Sequence, residues 1–135
     1  MEPSTLHQTS CAIDDLLARS RQGLDRVHPR DLPQELAAGA LLVDVRSSEQ
    51  RRRDGRMADA VVVDRNVLEW RLDPTSPFRL PEVTSDRRVV LVCNEGCGSS
   101  LAAATLRQLG LHRATDLVGG YQLYREVHYQ QPPSR

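Results

Sequence analysis

Apolar residues along this chain fall into two kinds of pattern, which alternate from the N-terminus to the C-terminus. Unbroken apolar runs of strand length predict four buried strands, at residues 40–45, 60–64, 87–93 and 114–118. Runs with helical spacing predict six helices, at residues 11–24, 29–39, 47–55, 66–72, 99–110 and 119–129. Residues 73–86 carry three prolines and are expected to form a loop.

Buried strands that alternate with helices indicate an α/β fold, in which helices cover both faces of a parallel sheet. The 135 residues suit one compact domain with a single core. We expect a helical extension at residues 1–26 that packs on the domain, the domain itself at residues 27–129, and a disordered tail at residues 130–135. Ligands bind such sheets beyond the carboxyl ends of the strands, so functional residues are expected at that edge.

The charge balance and the N-terminus exclude several classes of function. Eighteen basic residues balance eighteen acidic ones, so no excess charge favours binding to nucleic acid or to an anionic membrane. The N-terminal residues lack the basic start and apolar core of a signal peptide, and no apolar run approaches the roughly 20 residues that span a bilayer. We therefore expect a cytoplasmic protein whose three cysteines are reduced.

The strongest chemical signal lies at residues 89–101, which read VVLVCNEGCGSSL. Cys93 ends the most apolar strand, and the loop after it carries Gly96 and Gly98 before a helix whose expected N-cap is Ser99. Such a loop can turn its N–H groups toward one point, and the helix N-terminus adds a positive partial charge of about half a unit. Both effects favour the thiolate of Cys93, which is the nucleophilic form.

This arrangement suits covalent catalysis at sulfur, although a cysteine at the end of a strand can also be a small buried residue. Cys93 attacks a sulfur donor, carries the sulfur as an anionic persulfide that the same N–H groups stabilise, and passes it to an acceptor. The chemistry needs no metal and no organic cofactor. A zinc site is not indicated, because three residues separate Cys93 from Cys97 and the four histidines are scattered.

Three motifs in the right order make the sequence resemble the rhodanese (sulfurtransferase) family over residues 27–128. The family loop pattern C-x-x-G-x-R-S corresponds to CNEGCGS at residues 93–99, and the D-V-R marker with its later turn corresponds to residues 44–46 and 55–60. The closing marker of two glycines and aromatics corresponds to GGYQLY at residues 119–124. The resemblance is to single-domain bacterial members. It implies a three-layer α/β/α fold on a five-stranded, mainly parallel sheet, and a mechanism through a persulfide on cysteine.

The loop departs from the family pattern in its charge. Gly98 replaces the arginine of the pattern, and the formal charge of the loop comes from Glu95 alone. Thiosulfate is a dianion, and family members that use it efficiently tend to have cationic loops. We therefore expect weak activity with thiosulfate. A persulfide is the other candidate donor, and the acceptor is a thiol, cyanide or a protein.

The remaining candidate residues have narrower roles. The loop that binds substrate or persulfide comprises Asn94, Glu95, Gly96, Cys97, Gly98 and Ser99. The supporting residues are Asp44, Arg46, Arg65 and Ser100. Asp44 and Arg46 are expected to form a buried pair, and Arg65 either faces the site or lies on the surface. Ser99 and Ser100 are expected chiefly to cap the helix.

Two functions stay open at this point, and one is excluded. The chain is either a sulfurtransferase that works through Cys93 or a sulfur-relay, interaction or redox-sensing module that uses Cys93 and Cys97. Cys97 itself is either a spectator or a partner that closes a disulfide with Cys93. A cysteine-based phosphatase needs an arginine six residues after the nucleophile, and Ser99 occupies that position.

Overall fold

The protein is described by a computed structural model, which covers residues 11–129. Within that range it has six α-helices, two 3₁₀ turns and four strands. In chain order they are α1 (Ala12–Gln22), a 3₁₀ turn (Pro29–Asp31), α2 (Leu32–Ala37), β1 (Leu41–Asp44), α3 (Ser48–Asp54), β2 (Val61–Val62), a 3₁₀ turn (Arg65–Val67), α4 (Leu68–Leu72), β3 (Val89–Val92), α5 (Gly98–Gln108), β4 (Ala114–Asp116) and α6 (Gly120–Tyr129). The predicted tail at 130–135 lies outside the described residues, as do residues 1–10 of the predicted extension.

The four strands form one parallel sheet in the order β2-β1-β3-β4. The predicted parallel α/β architecture is therefore confirmed, but the expected number of five strands is wrong. In place of a fifth strand, Val27 makes one isolated parallel bridge with Leu117 beside β4. The pairing stops there because Pro29, two residues later, has no N–H to donate and begins a 3₁₀ turn.

Each face of the sheet buries its own apolar cluster. Alternate residues of β1 point to opposite faces, so that Leu41 and Val43 join one cluster and Leu42 joins the other. The first cluster includes residues of α4 and α5, and the second includes residues of α2 and α6. The helices thus form two outer layers around the sheet, as the alternating sequence pattern predicts.

Strand β2 is shorter and more exposed than the sequence predicts. The apolar run at 60–64 forms a strand only at Val61–Val62, and the Val62 side chain is 48% exposed. The difference arises because β2 is an edge strand, paired only with β1. Its outer side consequently lacks the neighbouring strand that would bury it.

Helix α1 lies against α5, next to the carboxyl edge of the sheet. Both of its ends carry favourable charges, with Asp14 and Asp15 in the first turn and Arg19 and Arg21 in the last. The division into extension and domain at residue 26 remains a prediction. No helix within residues 11–129 is both long enough and apolar enough to cross a bilayer.

Candidate functional site

Cys93 follows the last residue of β3, and its half-buried sulfur is approached by donors from the loop and from α5. The N–H of Gly96 donates to the sulfur at 3.1 Å, and the N–H of Ser99 donates to it at 3.4 Å. The hydroxyl of Ser99 lies 3.2 Å from the same atom. The loop therefore curls around the sulfur and turns N–H groups toward it, in the way the sequence analysis expects.

The start of α5 differs from the prediction in a way that matters for the sulfur. Helix α5 begins at Gly98 with Cys97 as its N-cap residue, and Cys97 makes no side-chain capping bond. Ser99 therefore lies in the first turn, where its N–H has no partner within the helix and is free to donate to Cys93. The predicted capping role of Ser99 and Ser100 is wrong, since both hydroxyls donate to Asp116 instead, each at 2.7 Å.

The floor of the loop is built from glycines that permit a close approach between backbones. Gly96 has a φ of +89°, and a side-chain carbon placed there would lie 2.7 Å from the nitrogen of Gly119. A side-chain carbon on Gly120, whose φ is +62°, would collide with the carbonyl oxygen of Cys93. The N–H of Tyr121 donates to that same carbonyl at 2.9 Å. The paired glycines of the closing motif thus let the start of α6 support the loop from beneath.

Asp116 is a functional candidate that the sequence analysis missed. It is fully buried at the end of β4, where it accepts both serine hydroxyls and a two-pronged ion pair from Arg26 at 2.8 and 3.2 Å. A hydrogen-bonded chain therefore runs from the sulfur of Cys93 through the Ser99 hydroxyl to the Asp116 carboxylate. One sequence signal could have indicated it, because a carboxylate stands in the middle of the predicted buried strand 114–118, where it needs a partner.

Two arginines from the N-terminal segment also reach the loop, and nothing in the linear pattern indicates them. Arg21 donates to the carbonyl oxygen of Gly96 at 2.7 Å, and Arg26 donates to the same oxygen at 2.9 Å. Arg21 also donates to the Ser100 hydroxyl at 3.0 Å. The loop thus receives cations from outside itself.

Asp44 and Arg46 form the buried pair that the sequence analysis expects. Their closest charged atoms are 2.9 Å apart, and both side chains are almost completely inaccessible to solvent. The Arg46 guanidinium also donates to the Gly55 carbonyl and lies 4.1 Å from the centre of the Tyr121 ring. The pair connects β1, the turn before β2 and α6, so it holds together the segments that surround the site.

A cavity of about 460 Å³ opens beside Cys93. It is lined by Val45, Arg46, Gln50, Arg65, Cys93, Asn94, Glu95, Cys97 and Gly98. Arg65 was expected either to face the site or to lie on the surface, and it lines this cavity. Its guanidinium is ion-paired with Glu69 at 3.0 Å. Cys97 is an exposed free thiol on the same cavity.

This geometry can stabilise negative charge on one sulfur atom without a metal. Two N–H groups converge on Cys93, whereas the Ser99 hydroxyl accepts from the thiol and donates its own proton to Asp116. Within residues 11–129, no group of three or more His, Cys, Asp or Glu side chains is arranged to hold a metal ion. The charged side chains on the cavity are Arg46, Arg65 and Glu95, and each of the two arginines is already ion-paired, Arg46 with Asp44 and Arg65 with Glu69.

Comparison with known proteins assigns most of the chain to one family. The family model described as the rhodanese-like domain matches residues 28–126. A curated sulfurtransferase from Allochromatium vinosum is 31% identical to the chain over 99 residues, which make up 72% of this chain and 84% of that protein.

Solved structures with a similar fold are also related to the chain in sequence. The human single-domain sulfurtransferase is 27% identical, with a TM-score of 0.63 over 75% of this chain and 95% of the human one. A protein from Rhodopseudomonas palustris, described as of unknown function and a possible tyrosine phosphatase, is 26% identical, with a TM-score of 0.77 over 88% of this chain and 92% of that one.

Proposed function

The chain belongs to the rhodanese-like domain family, and on that premise we propose that it is a sulfurtransferase that carries sulfane sulfur as a persulfide on Cys93. The observation that carries the proposal is the convergence of the Gly96 and Ser99 N–H groups on the Cys93 sulfur, at 3.1 and 3.4 Å. Hydrogen bonds to an ionised acceptor are stronger than those between neutral groups, so these donors favour the thiolate over the thiol.

The proposed cycle has two displacements at sulfur. The Cys93 thiolate attacks the outer sulfur of thiosulfate, the bond between the two sulfur atoms of the donor breaks, and sulfite leaves with its electron pair. A singly charged persulfide remains on Cys93. An acceptor such as cyanide or a thiolate then attacks the outer sulfur, leaves as thiocyanate or as a new persulfide, and restores the Cys93 thiolate.

The charges of the site also bear on which sulfur donor is used. Glu95 lies on the cavity beside Cys93, and Gly98 occupies the position at which the family pattern has arginine. The two arginines on the cavity, Arg46 and Arg65, are each paired with a carboxylate. We propose that a dianion is attracted mainly by backbone N–H groups, and that a persulfide of a small thiol or of a protein is the better donor. The proposal includes a cytoplasmic location, because a reducing compartment keeps Cys93 and Cys97 as free thiols.

A phosphatase activity, which the description of the Rhodopseudomonas palustris protein raises for that protein, is not proposed here. Phosphate transfer to cysteine needs an arginine to close the cradle around the phosphoryl oxygens. The loop ends at Ser99 in that position, and Ser99 is fully buried with its hydroxyl on Asp116.

Intact-mass analysis tests the proposal directly. The purified protein is exposed separately to thiosulfate and to a persulfide of a small thiol, and its mass is compared with that of the Cys93→Ser variant. We expect one added sulfur atom on the wild type and none on the variant. Sulfur that is retained by Cys93→Ser, or a loss of two hydrogens in place of a gain of sulfur, would contradict a persulfide on Cys93.

Turnover separates an enzyme from a relay module. Thiosulfate:cyanide activity is measured for the wild type and for Cys93→Ser. Activity in the wild type alone supports the enzyme. If both proteins are inactive while the wild type still forms the persulfide, the relay function is favoured, in which a partner protein is the acceptor.

A further inference from the structure

The loop that surrounds Cys93 is held on its outer side by two arginines. The carbonyl oxygen of Gly96 accepts hydrogen bonds from Arg21 at 2.7 Å and from Arg26 at 2.9 Å. Both side chains are partly buried, and each has a second anchor, the Ser100 hydroxyl for Arg21 and the Asp116 carboxylate for Arg26. Charged donors on one carbonyl make strong bonds, so this carbonyl is firmly fixed.

Fixing the Gly96 carbonyl also fixes the amide that follows it. The peptide between Gly96 and Cys97 is planar and trans, so its N–H points away from its carbonyl. Because the arginines hold the carbonyl on the side of α1, the N–H of Cys97 points in the opposite direction within the peptide plane, so the orientation of this peptide is set from outside the loop. The N–H of Gly96, one peptide earlier, donates to the Cys93 sulfur at 3.1 Å.

Both arginines lie outside the part of the chain that matches the family model, which begins at residue 28. Within the loop itself, the position of the pattern's arginine is taken by Gly98. The positive charge nearest the outer side of the loop therefore comes from the last turn of α1 and from the segment that follows it. Arg21 also lies 3.9 Å from the Cys97 sulfur.

We propose that Arg21 and Arg26 are positioning residues of the Cys93 site, which hold the loop in the conformation that directs its amides at sulfur and supply the cation that the loop lacks. This proposal rests on the proposed function, since it concerns how the loop donors are held at the sulfur that the function uses. It assigns α1 to the functional site rather than to a peripheral extension.

Other charged groups also face the sulfur or its loop, and the test must hold them constant. They are Arg46 and Arg65 on the cavity, Glu95 and Cys97 in the loop, and Asp116 behind Ser99. Substitutions at Arg21 keep all of these side chains and remove only its own bonds to Gly96 and Ser100 and its 3.9 Å contact with the Cys97 sulfur. Arg26 is a poorer choice for the test, because its removal leaves buried Asp116 without its ion-pair partner.

The experiment measures alkylation of Cys93 by iodoacetamide as a function of pH. Fragmentation mass spectrometry assigns the label to Cys93 or to Cys97, because both thiols lie in the stretch between Arg88 and Arg107. We expect Arg21→Gln to slow alkylation at neutral pH by about three- to tenfold and to move the pH profile upward by about half to one unit, since one unit corresponds to a tenfold change in thiolate fraction. Arg21→Lys keeps the positive charge and has one nitrogen that can donate to the Gly96 carbonyl, so it is expected to recover most of the wild-type alkylation rate.

Arg19→Ala is the matched control, because Arg19 is an exposed residue in the same last turn of α1. It is expected to alkylate like the wild type. Thermal unfolding of every variant shows whether the helix has detached. If Arg21→Gln lowers the unfolding midpoint, the Arg21→Lys variant distinguishes a positioning role from simple packing. A lysine restores the positive charge, and recovery of the wild-type pH profile by that charge is not expected of a residue that only packs.

A wild-type pH profile for a folded Arg21→Gln variant would overturn the proposal, as would an equal effect of Arg19→Ala. The outcome is separable from that of the proposed function. If Arg21→Gln shifts the profile but no persulfide forms on wild-type Cys93, the positioning role stands and the transferase function fails. If persulfide forms on wild-type Cys93 and Arg21→Gln leaves the pH profile unchanged, the transferase function stands and the positioning role fails.

Discussion

The sulfur of Cys93 and the hydroxyl oxygen of Ser99 lie 3.2 Å apart, and that hydroxyl is at the same time 2.7 Å from a carboxylate oxygen of Asp116. A hydroxyl has one proton to donate. In the protonated site the thiol donates to Ser99 and Ser99 donates to Asp116, so both bonds are made. Once the sulfur is ionised it has no proton to donate and can only accept. The single Ser99 proton then goes either to the sulfur or to Asp116, so one of the two bonds remains.

Replacing Ser99 with alanine is therefore expected to favour the thiolate. The thiol form loses two hydrogen bonds and the ionised form loses one, while the backbone N–H of residue 99 is retained. Since the thiol is a weak donor, the gain is small, about two- to threefold in alkylation rate of Cys93 at neutral pH. Thr84→Ala, which removes an exposed hydroxyl bond to Asp86 at a residue that does not line the Cys93 cavity, is the control. Slower alkylation of Ser99→Ala would mean that the hydroxyl donates to the thiolate.

Asp116→Asn is expected to destabilise the fold strongly. The buried carboxylate accepts from Arg26 and from two serine hydroxyls, and an amide offers one acceptor oxygen and two unwanted donors. Breaking one side of a buried pair costs about 3–5 kcal/mol, which urea unfolding measures. Glu69→Gln, at the more exposed pair with Arg65, is expected to cost less than about 1 kcal/mol. Equal losses for the two variants would contradict a structural role for the Asp116 network.

Gly120→Ala is expected to perturb Cys93 as well as stability. Gly39→Ala is the matched control, since Gly39 has a φ of +103° and open space around it. The control carries only the backbone strain, about 1–3 kcal/mol. At Gly120 the added methyl group also collides with the Cys93 carbonyl, so the unfolding free energy falls further and Cys93 alkylates more slowly. An unchanged alkylation rate would show that the loop does not rest on Gly120 in solution.

Glu95→Arg is expected to increase the rate of persulfide formation at low thiosulfate concentration. The change removes a negative charge beside the Cys93 cavity and adds a positive one. The gain should shrink as salt is raised, because an exposed charge is screened over about 10 Å at 0.1 M ionic strength. Glu82→Arg makes the same change of charge at an exposed residue that does not line the cavity. The absence of any gain at low salt would indicate that thiosulfate does not approach past residue 95.

Tyr124 makes stability depend on alkaline pH. Burial, with a further contribution from the neighbouring Tyr129 hydroxyl, raises the pKa of Tyr124 to about 12 from an ordinary value of 10.0. Between these two values the unfolded chain has lost the phenol proton and the folded chain has kept it, so stability falls as pH rises from about 10 to 12. Urea unfolding at pH 9 and pH 11 should show a smaller decline for Tyr124→Phe than for the wild type. Equal declines would contradict the shift.

The order of elements and the position of Cys93 could be predicted because both depend on local signals. Strands β1 and β3 are buried on two faces and read as unbroken apolar runs, and the carboxyl edge of a parallel sheet collects whatever follows them. Asp44 and Arg46 were also predictable as a pair, since two charged residues directly after an apolar strand must neutralise each other if they are buried.

The surroundings of Cys93 could not be predicted from the sequence, because they depend on contacts between distant residues. Arg26 and Asp116 are 90 positions apart, and Arg21 and Gly96 are 75 positions apart. No periodicity connects such pairs. The capping role assigned to Ser99 failed for a related reason, since its hydroxyl is directed by the buried Asp116 carboxylate.

The close seating of Gly96 on Gly119 and Gly120 also restricts the route by which reactants reach Cys93. Within residues 11–129, the space between the loop and the start of α6 is too small for a single methyl group, whereas the cavity that Gln50, Arg65 and Glu95 line is open beside Cys93. In the proposed cycle, sulfur donor and sulfur acceptor use this same opening in turn, so the first product leaves before the second reactant enters. If the proposed persulfide cycle operates, double-reciprocal plots at several acceptor concentrations are expected to be parallel lines, the kinetic signature of a substituted-enzyme cycle.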